Sequence, residues 1–195
     1  MTFERRIGDR AMGVTLESMA IEMPAIQGHP NRVGFRGVLT IVDVASDKPP
    51  AGARGHRVLV TRRAAEAAIP SLMGMGLGYS PALDRHDVRR KVGVITRAEI
   101  VGRRIEVGGF LYARDFPEIV AEIGRKTPTL AQKTRKDGAP RASLGMSYEI
   151  ADAQIEDIKA KVWVLNQLTF TGAAILRQEK AAYQGTWIEL EQVAG

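Results

Sequence analysis

Cysteine is absent from the 195 residues, which excludes disulfides, thiolate metal sites and a cysteine nucleophile and suits a reducing cytoplasm. Long apolar runs are missing too, because Gly, Arg, Glu or Lys interrupts each one before it reaches bilayer length, and no signal-peptide pattern is present. The expectation is a soluble, unexported protein with no membrane partner. Histidine is scarce, at three residues, and none falls in a His-x₃-His or Glu-x-x-His spacing, so neither a metal nor a cofactor is expected. The Gly-x-Ser-x-Gly elbow of the α/β-hydrolases does not occur. Gly74-x-Gly76-x-Gly78 lacks the following Lys-Ser/Thr of a phosphate loop and opens no helical pattern.

What remains is a chain of one domain's length, 45% hydrophobic and therefore able to bury a core, with a mild formal excess of +6. The basic clusters at Arg85–Lys91 and Lys126–Lys136 read as solvated loops, or as surface that attracts an acidic partner. Aromatics are only 6%, and Phe35, Phe110, Tyr112, Trp163 and Phe170 lie on apolar strands where they look like core. A base-stacking face is therefore not expected, and neither is specific nucleic-acid binding.

Along the chain, residues 1–30 show no sustained period and read as a loosely held lead-in. Val33–Val44 and His56–Thr61 are β-rich strands separated by a Pro- and Gly-containing loop. Arg62–Met73 is an alanine-rich helix that Thr61 can cap and that Pro70 shortens to Ala68 or Ile69. Gly74–Gly78 reads as loop, and Val92–Ile100 and Arg104–Tyr112 as a hairpin about Val101-Gly102-Arg103. Asp115-Phe-Pro-Glu starts a helix that Gly124 ends. Lys126–Pro140 is a basic connection. From Ser143 to Ile150, small or polar residues alternate with apolar ones, which predicts a half-buried strand with Ser143, Gly145, Ser147 and Glu149 on one face. A polar link, Ala151–Lys159, leads to a buried strand running from Ala160 to Thr171; Arg177–Gly185 is polar, and the tail from Thr186 has no clear element.

Two serines on a strand face and one histidine, His86, at the junction of a glycine-rich loop and a strand pair point to nucleophilic chemistry. His29 and His56 read as structural or solvated. The ordered segments Phe35-Arg-Gly-Val-Leu, Ser71-Leu-Met-Gly-Met, Leu83-Asp-Arg-His86, Lys91-Val-Gly-Val-Ile-Thr and Gly109-Phe-Leu-Tyr carry a resemblance. It continues through Asp115-Phe-Pro-Glu, Leu144-Gly-Met-Ser147-Tyr-Glu, Leu168-Thr-Phe-Thr-Gly-Ala-Ala-Ile-Leu and Lys180-Ala-Ala-Tyr. Over roughly residues 33–185 the chain resembles the head-maturation (prohead) serine proteases of tailed bacteriophages, related in fold to the herpesvirus capsid-assembly proteases.

The resemblance implies an α+β fold, an antiparallel, partly open β-barrel flanked by a few helices, with residues 31–185 as protease domain and 186–195 as tail. It makes His86 the general base and Ser147 the nucleophile. Ser143, with glycine two places on, fits one family variant; Ser147, with glutamate two places on, fits another and also matches in its preceding hydrophobic residue. The two stand about 13 Å apart along a strand, too far for one histidine to serve both. For the third member, relatives place an acid or a second histidine on the strand after the serine, where this chain has Asn166 and Gln167; Asp43 is the alternative. The implied substrates are phage scaffold and major capsid proteins, cut in the host cytoplasm inside the immature capsid. Self-cleavage and homo-oligomerisation are allowed. A catalytically silent capsid-assembly protein of the same fold is the alternative, followed by a basic nucleic-acid-binding β-barrel.

Overall fold

A computed structural model describes residues 2–7, 10–15, 29–126 and 144–191. Ten strands and two helices follow in order: β1 (Thr2–Ile7), β2 (Arg10–Thr15), β3 (Arg32–Ile41), β4 (Arg57–Val60), α1 (Arg62–Ala68), β5 (Gly76–Tyr79), β6 (Lys91–Val101), β7 (Arg104–Tyr112), α2 (Pro117–Lys126), β8 (Leu144–Ile155), β9 (Val162–Arg177) and β10 (Trp187–Leu190). The architecture is α+β: a curled, partly open half-barrel sheet with two short helices against it.

The sheet runs β10-β3-β7-β6-β5-β9-β4, with β8 also on β9. β9 organises it. Its 16 residues pair β4 at Val162–Leu165 and β5 at Ala173–Ile175, both parallel, and β8 antiparallel from Leu165 to Arg177. Because β8 lies alongside the residues that β5 also pairs, β8 takes the opposite edge of β9. The sheet is thus mixed, not wholly antiparallel as the resemblance implies. A parallel bridge between Val42 and Val60 ties the end of β3 to β4 and curls the sheet back on itself.

The core fills the curl with Phe35, Leu39, Leu77, Ile95, Leu111 and Phe170, each at most 1% exposed. Burying such a side chain is worth about 1.5–3 kcal/mol. Thr61 caps α1 as expected, its hydroxyl accepting the Ala64 N–H at 3.2 Å. Pro70 is accommodated in a 3₁₀ turn, Ile69–Leu72, that follows α1 directly.

Several elements differ from the sequence expectation. The glycines at 76 and 78 lie in strand β5, with the Lys91 side chain close over Gly76 and the Asp87 and Arg90 carbonyls close over Gly78. β8 continues to Ile155 through the expected polar link, bulged and with Asp152 at φ 54°, and β9 continues to Arg177. Helix α2 passes Gly124 and reaches Lys126. Thr2–Ile7 and Arg10–Thr15, within the expected lead-in, pair as a hairpin with Thr2 opposite Thr15. Trp187–Leu190, in the expected tail, pairs antiparallel with β3 and belongs to the main sheet. Phe110 and Tyr112 are half-buried and pack edge to face with one another, with Arg32 over the Phe110 ring, instead of joining the core cluster.

Candidate functional site

The site is built on the face of β8, β9 and β5 that points away from the core. Ser147 pairs Ala174, Ala174 pairs Gly78, and Glu149 pairs Gly172, so a floor of small residues lies beside the serine and the glutamate. Two residues apart on a strand, Ser147 and Glu149 project to the same side. The glutamate crosses Gly172, where a Cβ would stand 2.5 Å from Glu149 Oε2.

The loop from Ser80 to Arg90 covers this floor. A Cβ at Gly78 would meet the Asp87 and Arg90 carbonyls at 3.2 and 3.3 Å, so a side chain there would press the loop outward by a few tenths of an ångström. The loop is anchored throughout. Its ends meet where the Tyr79 N–H donates to the Arg90 carbonyl, and the Leu83 carbonyl accepts the Arg177 N–H at 2.8 Å. Within it, the Ser80 hydroxyl donates to Asp84 Oδ1 at 2.9 Å, a bond that holds the Asp84 carboxyl below its ordinary pKa. Leu83 takes a left-handed φ of 53°, a strained conformation for a branched residue. At its base the Tyr79 hydroxyl donates to Glu118 on α2; burial, then this bond, raises the tyrosine pKa, and the same bond lowers that of Glu118.

His86 descends from this loop onto the floor. Its Nδ1 lies 3.3 Å from Glu149 Oε1, with the imidazole 20% exposed and the carboxylate 39%. A carboxylate only accepts, so this approach favours the tautomer with the proton on Nδ1 and the lone pair on Nε2, the one a general base requires. Burial lowers the His86 pKa, the Glu149 charge opposes that, and nearby Lys91 lowers it further. The ring is therefore neutral at neutral pH.

Of the residues singled out from sequence, His86 and Ser147 come to the same face, although the ring's charged neighbour is Glu149 and it makes no hydrogen bond to the Ser147 hydroxyl. Ser143 lies outside the described residues. Asp43 is elsewhere engaged: at φ 56° it caps α1, accepting the Arg62 N–H at 2.8 Å and standing 3.8 Å from Arg62 Nε. Asn166 donates weakly to Glu156 at 3.5 Å and Gln167 pairs with Gln154, roughly 23 Å down β9 from Ala174. Neither the aspartate nor these amides orient the imidazole. The carboxylate beside the ring is that of Glu149, and the signal for it is its place two residues after Ser147 on an alternating strand. His56 stacks on Trp163 at 4.5 Å and bonds the Ala160 carbonyl, and His29 accepts the Asn31 N–H; both serve local structure. Among the described residues no group of three or more His, Cys, Asp or Glu is placed to hold a metal, and no helix is long and apolar enough to cross a membrane. Compared with protein-family models and with curated proteins, the chain matches none.

Proposed function

We propose that this chain is a serine endopeptidase of the phage prohead type, on a herpesvirus-protease-like half-barrel, with Ser147 as nucleophile, His86 as general base and Glu149 as the acid that orients the imidazole. One observation carries the reading: Nδ1 of His86 is engaged by a carboxylate two residues from a serine on the same strand face, which leaves Nε2 for the hydroxyl. The Ser147 and Glu149 Cα atoms stand about 6.6 Å apart along the strand, a span an imidazole can bridge.

In the proposed reaction His86 Nε2 takes the Ser147 proton as Oγ bonds to the scissile carbonyl carbon. The tetrahedral intermediate collapses with cleavage of the C–N bond, and the proton passes from His86 to the departing amine. Water, deprotonated by the same nitrogen, then releases the acyl group and restores the serine. Glu149 steadies the imidazolium that forms twice in this cycle. Scaffold and capsid proteins inside the immature capsid are the proposed substrates.

The silent capsid-assembly reading has one observation in its favour, the missing direct bond between the ring and Ser147. Catalytic hydrogen bonds commonly tighten only when substrate binds, which leaves the enzyme reading ahead. Labelling with a serine-reactive phosphonate tests it: the wild-type chain is expected to take up one label at Ser147, and a folded chain that takes up none would leave the silent reading standing.

A further inference from the structure

We propose that the rim of the His86 loop is a docking surface for an acidic segment of a protein substrate. The proposal rests on the peptidase reading for the cleavage that comes after docking; the docking itself is measurable without turnover.

Arg85, Arg89, Arg90 and Lys91 crowd a stretch of seven positions that also contains His86, and all four are exposed. Lys180, from the 3₁₀ turn Gln178–Lys180 after β9, acts with Arg85 on the Asp84 carboxylate and so belongs to the same rim. The Lys91 stem lies over Gly76, at 3.0 Å from where a Cβ would stand, which keeps the ammonium on the loop side of the sheet. The neighbouring acids are largely spoken for. Asp84 is hydrogen-bonded to Ser80 and Asp87 to the Arg89 N–H, while Asp87 also stands 3.8 Å from Arg90 Nε and Glu149 3.3 Å from His86 Nδ1; Glu179 remains at the edge. Among the described residues Arg85, Arg89, Lys91 and Lys180 form no ion pair. Elsewhere on the sheet the cations differ, since Arg36 on β3 and Arg97 on β6 are paired to Glu189 and Glu191.

Unpaired cations around a catalytic group favour an anionic partner that then lies across that group. Its chemistry is further narrowed at the loop tip, where Val88 is 68% exposed and sits between the cations. No Phe, Tyr or Trp occurs from Pro81 to Lys91 or from Gln178 to Lys180, so the rim offers no aromatic platform for a base. Cations about an apolar side chain suit a peptide that mixes carboxylates with an aliphatic residue.

The test measures anisotropy of a fluorescein-labelled peptide rich in Glu and Leu against its Gln counterpart, with the full chain, from about 50 to about 300 mM salt. At low salt the Glu peptide is expected to bind about tenfold tighter or more. That preference should vanish in the triple variant R85E/R89E/K180E and fade with salt. The milder R85Q/R89Q chain, judged folded by its thermal transition, should lose part of it. Equal affinity for both peptides, or an undiminished preference in both variants, would overturn the proposal. So would a single-stranded oligonucleotide that binds tighter than the peptide and is released by the same substitutions. A small neutral phosphonate separates the two readings. Labelling without the peptide preference sinks docking alone, whereas the preference without labelling sinks the peptidase alone.

Discussion

His86 Nδ1 and Glu149 Oε1 stand 3.3 Å apart, joining the loop between β5 and β6 to the strand that carries Ser147. The contact turns Nδ1 toward the carboxylate and places the ring on the Ser147 side of the sheet. Most of the expected behaviour of the molecule derives from it.

Ser147→Ala and His86→Ala should each lower cleavage of a co-expressed scaffold protein by about 10³-fold or more while the thermal transition stays within a few degrees. Neither side chain belongs to the core cluster, so fold loss is not expected. Quantifying intact and cut scaffold by gel, beside the melting curve, checks both halves. A normally active Ser147→Ala chain would move the nucleophile elsewhere, with Ser143→Ala as the next substitution to test.

Glu149→Gln should reduce turnover by about 10²–10⁴-fold, because an amide neither selects the Nε2-basic tautomer nor steadies the imidazolium. KM should stay near its wild-type value. Steady-state kinetics on a peptide substrate reads the split directly.

With its folded pKa lowered, His86 remains neutral to a pH below the ordinary histidine value of about 6.5, and the acid limb of kcat/KM should fall below that point. Lys91→Gln removes a charge that disfavours the imidazolium, so the limb should move to higher pH. The linked stability has a definite sign. At pH values above the unfolded pKa the group contributes nothing. As pH falls from there through the folded value, the unfolded chain binds the proton more readily and stability declines.

Gly172→Ala should act on the site without unfolding the sheet. Its new methyl would press the far end of the flexible Glu149 side chain, 2.5 Å away, and not the backbone, so the carboxylate turns aside at little cost. A fall in turnover close to that of Glu149→Gln with a nearly unchanged melting temperature is expected.

Thr61→Ala should cost about 1 kcal/mol by leaving the Ala64 N–H in the first turn of α1 without its side-chain acceptor, and it should leave phosphonate labelling alone. Urea unfolding measures the first and mass spectrometry the second.

Much of this was legible in the residues because local pattern and tertiary environment agree. The alternation around Ser147 gave a strand with the right face outward, Thr61 and the alanines after it gave a capped helix, and Val101-Gly102-Arg103 gave the turn between β6 and β7. The misses came where tertiary contact overrides local chemistry. Gly76 and Gly78 look like loop, yet they form a strand because β6 and β9 pair them on either side, with the Lys91 stem over Gly76 and the loop carbonyls over Gly78. Trp187–Leu190 is too short to announce itself and becomes a strand only because β3 offers an edge. Asp43 is drawn away by the open N-terminus of α1 and by Arg62, whereas Glu149, visible as a neighbour of Ser147, needed the folded loop to show its partner.

β9 also bears on timing. A ribosome releases the His86 loop long before the strand that must receive it, and β4 and β5 likewise wait for that late strand to bring them together. Pairings this distant in sequence form slowly. A nascent chain should consequently lack the assembled site through most of its synthesis, a built-in delay for the proposed enzyme among the proteins it is proposed to cut.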